Sequence, residues 1–172
     1  SDGETKNVVI MQSDVPSLFV DLKNNVTQST LDGGSKSDKY KASLKIVGAE
    51  KEEHNITDDD IEIKGRGNTT WKLPKKPYQI KFSKKTNVLG IGKDKAKKWV
   101  LIANYNDPTL LKNKIQNDLC VNSELSNIPN SKMIDLYING NYAGNYLLCE
   151  KIETGDGRVE LNNQDGVLAE LD

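Results

Sequence analysis

The run Ile63-Lys-Gly-Arg-Gly-Asn-Thr-Thr-Trp71, followed by Pro74-Lys-Lys-Pro-Tyr-Gln-Ile-Lys-Phe82, concentrates the residues of this chain best suited to chemistry. A glycine-flanked arginine, a tryptophan, two prolines and several lysines lie between two short apolar runs. The pattern reads as a strand, a tight basic turn and a second strand. Backbone N–H groups freed by Gly65 and Gly67 can point at an anion beside Arg66. In the second strand, alternation sets Ile80 and Phe82 on one face and Lys81 on the other, where a lysine can hold a phosphate at the mouth of a cleft. The competing reading is a hairpin loop whose lysines are solvated, and composition by itself favours it. Gly65-Arg66-Gly67 lacks the third glycine of a dinucleotide fingerprint, and no Gly-Lys-Ser/Thr run marks a Walker loop.

Other residue types narrow the chemistry. The chain has one histidine, His54, set in an acidic stretch, which gives no support to a His-based metal site or a Ser-His-Asp triad. Cys120 and Cys149 have neither metal-ligand spacing nor disulfide-scaffold density and read as buried free thiols. Glu62, Asp135, Glu150, Glu153, Glu170 and Asp172 show no recognisable acid/base pairing. Trp99 sits inside an apolar run and reads as core. Trp71 follows a turn, where it either packs over the hairpin or offers a platform for a sugar. A net charge of −1 over 172 residues gives no global attraction to nucleic acid. No apolar stretch is long enough to span a bilayer.

The elements that must position these residues follow from hydrophobic period. Val8–Met11 and Leu18–Leu22 read as strands, Asn24–Asp38 as a polar loop, and Tyr40–Val47 as a half-buried alternating strand. Ile61–Lys64 and Tyr78–Phe82 flank the basic turn. Asn87–Lys98 is Gly/Lys-rich and loop-like, and Trp99–Ala103 is a continuous apolar strand. Asp107-Pro108 then opens a helix, with Asp as N-cap and Pro at the first position. Leu110, Leu111, Ile115, Leu119 and Cys120 share one face of it, to an end near Leu125. Met133–Asn139 and Asn141–Glu150 form a hairpin turned at Asn139-Gly140, and Val167–Leu171 reads as a last strand. The order predicts one α+β domain over residues 1–172, mainly antiparallel sheet with one substantial helix at about 107–125.

Several of these segments, in order, resemble the spore-coat protein H (CotH-type) atypical kinase family. Arg66-Gly-Asn-Thr-Thr-Trp71 with Pro74-Lys-Lys-Pro-Tyr-Gln-Ile-Lys-Phe82 looks like its signature. Trp99-Val-Leu-Ile-Ala-Asn-Tyr-Asn-Asp-Pro-Thr-Leu-Leu-Lys-Asn113 resembles its strand and following helix, with Lys112 where the family usually has Arg. Asp135-Leu-Tyr-Ile-Asn-Gly-Asn-Tyr-Ala-Gly-Asn-Tyr-Leu-Leu-Cys-Glu-Lys151 resembles its Asn-Gly hairpin and Glu-Lys segment.

The resemblance implies a protein-kinase-like N-terminal lobe in which ATP, with Mg²⁺ or Mn²⁺, is the cofactor. Lys81 would reach the phosphates, Arg66 and Asn68 would lie in the turn beside them, and Glu150 and Lys151 would lie near the adenine. The implied activity is transfer of the ATP γ-phosphate to Ser/Thr hydroxyls of protein substrates, in a bacterial extracellular, cell-surface or spore-coat setting. The family's catalytic Asp and metal-binding residues would fall beyond residue 172. No catalytic or metal residue is therefore assigned, the chain reads as the N-terminal part of a longer protein, and by itself it is expected to be inactive. The rival expectation is a non-enzymatic structural or adhesion module, with carbohydrate binding through Trp71 as a variant. Apolar surface at the missing-lobe face would favour a dimer.

Overall fold

Alternation of apolar and polar residues dominates the chain, and the structure turns nearly every alternating run into a strand whose apolar face points inward. The computed structural model describes residues 13–92, 94–123, 125, 127–155, 157–161 and 165–169. The strands among these are β1 (Ser17–Leu22), β2 (Tyr40–Val47), β3 (Thr57–Gly65), β4 (Tyr78–Thr86), β5 (Ala96–Ile102), β6 (Ser131–Ile138) and β7 (Asn141–Glu150). Two helices interrupt them, α1 (Gln28–Gly33) and α2 (Lys112–Asn122).

The strands close into a barrel in the order β1-β2-β3-β4-β5-β7-β6. Every pairing is antiparallel except that of β1 with β6, which is parallel and sets Phe19 beside Tyr137. Closure corrects the expected kinase-like lobe. A lobe of that kind is an open sheet with a helix packed into its architecture; here β1 uses both edges, and among the described strands no sheet edge is left free. The long helix lies outside the ring against β6. The molecule is a seven-stranded mixed barrel, mostly sheet, with one main helix.

Inside the barrel, Ile61, Ile63, Tyr78, Ile80, Phe82, Trp99, Leu101, Leu136 and Leu148 are fully buried in one cluster. The segment between β4 and β5 adds Val88, Leu89 and Ile91 to it, so the stretch read as a Gly/Lys-rich loop is a core-filling plug. Residues 28–33, read as loop, form a short helix that Thr27 caps by accepting from the Thr30 N–H at 3.1 Å, and its Leu31 is buried.

The Asn139-Gly140 hairpin stands where the sequence puts it. Both residues have positive φ (49° and 76°), as the tight twist-matching turn requires. Helix α2 is shorter than expected and begins at Lys112. Asp107 still marks its start, but from a preceding turn: one carboxylate oxygen accepts from the Lys112 N–H at 2.8 Å and the other from the Thr109 N–H at 3.0 Å. The expected apolar face of α2 is not buried. Leu111, Ile115 and Leu119 are 45%, 52% and 64% exposed, while Asn117 faces the sheet. Val8–Met11 lies outside the described residues, and the described part of the last predicted strand, 167–169, forms none.

Candidate functional site

On the outside of the barrel, Lys64, Gln79, Val100, Cys149 and Ser131 are successive partners in register across β3, β4, β5, β7 and β6. Strands lie about 4.8 Å apart, so this row crosses a broad face. A cleft of ≈ 850 Å³ opens over it. Its floor is apolar: Val100, Ile102 and Cys149 line it and pack with Leu147 and Met133 in a second small cluster outside the main core. Burial pushes the Cys149 thiol up to about 12, although the nearby Arg66 guanidinium opposes the shift. That thiol is a neutral, apolar surface at neutral pH.

The β3 end of the cleft is cationic. Lys64 and Arg66 line it together with Ser35, Lys36 and Ser37, from the loop between α1 and β2. Lys36 Nζ donates to Asn68 Oδ1 at 2.7 Å, tying that loop to the turn after β3. The turn holds its shape through close packing. A Cβ on Gly65 would come 2.4 Å from the Trp71 ring, and Gly67 has φ +81°. Lys76 Nζ donates to the Trp71 carbonyl at 2.7 Å and lies 5.3 Å from the ring centroid. Trp71 therefore packs over its own hairpin.

At the other end, α2 lends Asn113 and Asn117 to the wall, and Pro129, Lys151, Ile152, Leu168 and Ala169 line the rim. Asn113 Nδ2 donates to Asn104 Oδ1 at 2.7 Å, and Asn117 Nδ2 to Ser131 Oγ at 3.3 Å. The arrangement is a gradient. Cations stand at one end, an apolar floor lies in the middle, and side-chain amides stand at the other end.

The residues singled out from sequence divide. Arg66 and Lys151 line the cleft, and Asn68 adjoins it through Lys36. Lys81 shares the outward face of β4 with Gln79, but sits two residues, about 7 Å, farther along the strand. There Lys81 pairs with Glu62 at 3.4 Å, in a separate small hollow with Lys41 and Asp60. Glu150 borders the cleft, but its carboxylate is buried and committed elsewhere. Oε2 accepts from the Asn130 N–H and Nδ2, both at 2.9 Å, and Oε1 from Arg158, whose guanidinium lies 4.8 Å from the Trp99 ring centroid. Much of the remaining lysine charge is spent in surface pairs, such as Lys41 with Asp60 and Lys98 with Glu153.

Sequence reading missed Lys36, Asn117 and the two serines. Lys64, Gln79 and Asn113 lay inside the quoted motifs without a role. Lys36 gave no signal, because a polar loop does not show which distant turn it will meet.

A family model described as CotH kinase protein matches residues 63–172, which takes in the end of β3, all of β4 to β7, α2 and all of the cleft except the 35–37 loop. No curated protein matches the chain significantly.

Proposed function

Because the chain belongs to the CotH kinase protein family, we propose that the cleft over β3–β7 binds ATP and serves transfer of its γ-phosphate to Ser/Thr hydroxyls of coat or other extracellular proteins. The carrying observation is the gradient across one register row. Lys36, Lys64 and Arg66 match a polyphosphate, and the apolar floor of Val100, Ile102 and Cys149 matches the faces of a purine. Among the described residues Glu150 is the one carboxylate bordering the cleft, and it is paired with Arg158.

Among the described residues, no three His, Cys, Asp or Glu side chains cluster to hold a metal. The Mg²⁺ or Mn²⁺ implied by the resemblance thus has no ligand set among the described residues, and the binding argument runs through Lys and Arg alone. Arg66 offers a bidentate fork to phosphate oxygens and Lys64 a point charge beside it. Lys81, one pleat repeat away, meets the phosphates only if they extend past Gln79.

Isothermal titration with ATP tests the reading. Arg66→Ala should weaken binding about tenfold or more, as expected for loss of a charge-assisted contact worth about 1.5–3 kcal/mol. Lys81→Ala should weaken it less than Arg66→Ala does. Wild-type protein that gives no heat and no thermal shift with ATP would remove the proposal.

A second reading has its own support. The exposed stripe Leu111, Ile115 and Leu119 on α2 suits a module that assembles with another protein surface. Under that reading ATP has no effect and association depends on the stripe.

A further inference from the structure

We infer that Asn139 is a modification site built into the barrel seam: its side-chain amide is lost by deamidation only when the end of β1 lifts away, and the product keeps that end from closing again. Asn139-Gly140 is the single Asn-Gly step of the chain, and Gly140 has no side chain to shield its backbone nitrogen. The amide fastens more than the turn. Oδ1 accepts from the Leu22 N–H at 2.7 Å, and Nδ2 donates to the Val26 carbonyl at 3.0 Å. The Asn139 N–H adds a bond to the Val20 carbonyl at 2.9 Å. The parallel register of β1 with β6 runs out at Val20 and Ile138, so beyond that point the Asn139 side chain continues the seam.

The chemistry needs no partner but water. The Gly140 backbone nitrogen, on giving up its proton to solvent, attacks Asn139 Cγ. A new C–N bond closes a succinimide ring while the Cγ–Nδ2 bond breaks and that nitrogen leaves as ammonia. Water then opens the ring at one of its two carbonyls, leaving aspartate or isoaspartate. Ring closure carries Cγ onto the backbone of the turn itself, so the amide must first swing off Leu22 and Val26. Neither product refastens the seam. Aspartate sets a carboxylate oxygen against the Val26 carbonyl where an N–H stood, which leaves two acceptors facing each other. Isoaspartate lengthens the backbone of a turn that holds φ of 49° and 76° at residues 139 and 140.

Peptide mass spectrometry follows conversion at position 139 in mildly alkaline buffer, for the full chain and for the free peptide of residues 136–143. The folded chain should convert about tenfold more slowly or slower still, since releasing two hydrogen bonds costs about that factor. Phe19→Ala removes the ring stacked on Tyr137 across the seam, and should speed conversion without touching the turn. Equal rates in chain and peptide, or no response to Phe19→Ala, would overturn the gating. Asn139→Asp supplies one product directly. In that variant the amides of Leu18 and Val20 should exchange faster while those of Ile80 and Leu101 hold, a split that general destabilisation does not produce. Unchanged protection in β1, or an equal loss at all four positions, would overturn the claim that the product holds the seam open.

Discussion

At the scale of single residues, the largest difference between sequence and structure concerns Glu150. It lies in a Glu-Lys segment that the resemblance sets near the adenine, yet its carboxylate is only 4% exposed and is fully hydrogen-bonded inside the protein. Its partner Arg158 is as deeply buried, and the Nε and Nη2 atoms of Arg158 find no acceptor among the described residues. Removing one member of such a pair leaves an uncompensated buried charge, which costs about 3–5 kcal/mol. Glu150→Ala should therefore lower urea stability by that order, whereas Lys151→Ala, on the exposed rim, should change it by about 0.5 kcal/mol or less. A mild effect of Glu150→Ala would mean that the pair does not hold the chain after β7 in place. Cys149 gives a pH-dependent counterpart. Burial pushes its pKa in the folded protein up to about 12, above the ordinary thiol value of 9.0. The neutral buried thiol thus contributes stability that is complete below the unfolded value and is lost as pH rises toward the folded one. At pH 8 iodoacetamide should label Cys120 well before Cys149, read by peptide mass spectrometry; the reverse order would contradict the burial of the cleft floor.

At the scale of elements, α2 is the part to probe. Its stripe of Leu111, Ile115 and Leu119 recurs at i, i+4, i+8, which normally buries against a sheet. Here the helix turns Asn117 to Ser131 and leaves the stripe outward. In the isolated chain, Ile115→Glu and Leu119→Glu together should shift stability by about 1 kcal/mol or less, since neither side chain leaves a packed site. A loss of several kcal/mol, measured by denaturant titration, would show that the stripe is covered. The element scale also shows what the sequence could and could not convey. Strands β2, β4, β5, β6 and β7 were legible because alternation and an Asn-Gly turn are local signals, and Trp99 and Lys81 were rightly assigned to inner and outer faces. Helix α1 was not legible, because six residues carrying Ser, Thr, Asp and Gly show no apolar period. The direction of α2 failed for a different reason. Periodicity reveals that a helix has an apolar face but not what that face meets. The site was half legible on the same grounds: Arg66 and Lys151 lie in motifs contiguous with strands, whereas Lys36 and Asn117 join it through contacts between distant segments.

At the scale of the whole molecule, one contact decides the architecture. The parallel pairing of β1 with β6 joins segments more than a hundred residues apart, and no local signal announces it. Without it the chain would form an open sheet with β1 and β6 as edges, close to the lobe expected from resemblance. With it, the Asn139 N–H donates to the Val20 carbonyl and the Asp135 N–H to the Pro16 carbonyl, both at 2.9 Å, and Phe19 stacks on Tyr137 at 4.7 Å between centroids. The consequence is measurable in native-state hydrogen exchange. An edge strand opens locally, at a free energy well below that of global unfolding, whereas a strand bonded on both sides opens with the core. The amides of Leu18 and Val20 should therefore exchange as slowly as those of Ile80 and Leu101, with the same dependence on denaturant. Weakening the seam with Leu136→Ala, which empties a fully buried site at a cost of about 2–5 kcal/mol, should lower all four protections together. Fast exchange confined to β1 and β6, with β3 to β5 still protected, would mean that the ring opens at this seam while the rest of the sheet stays intact.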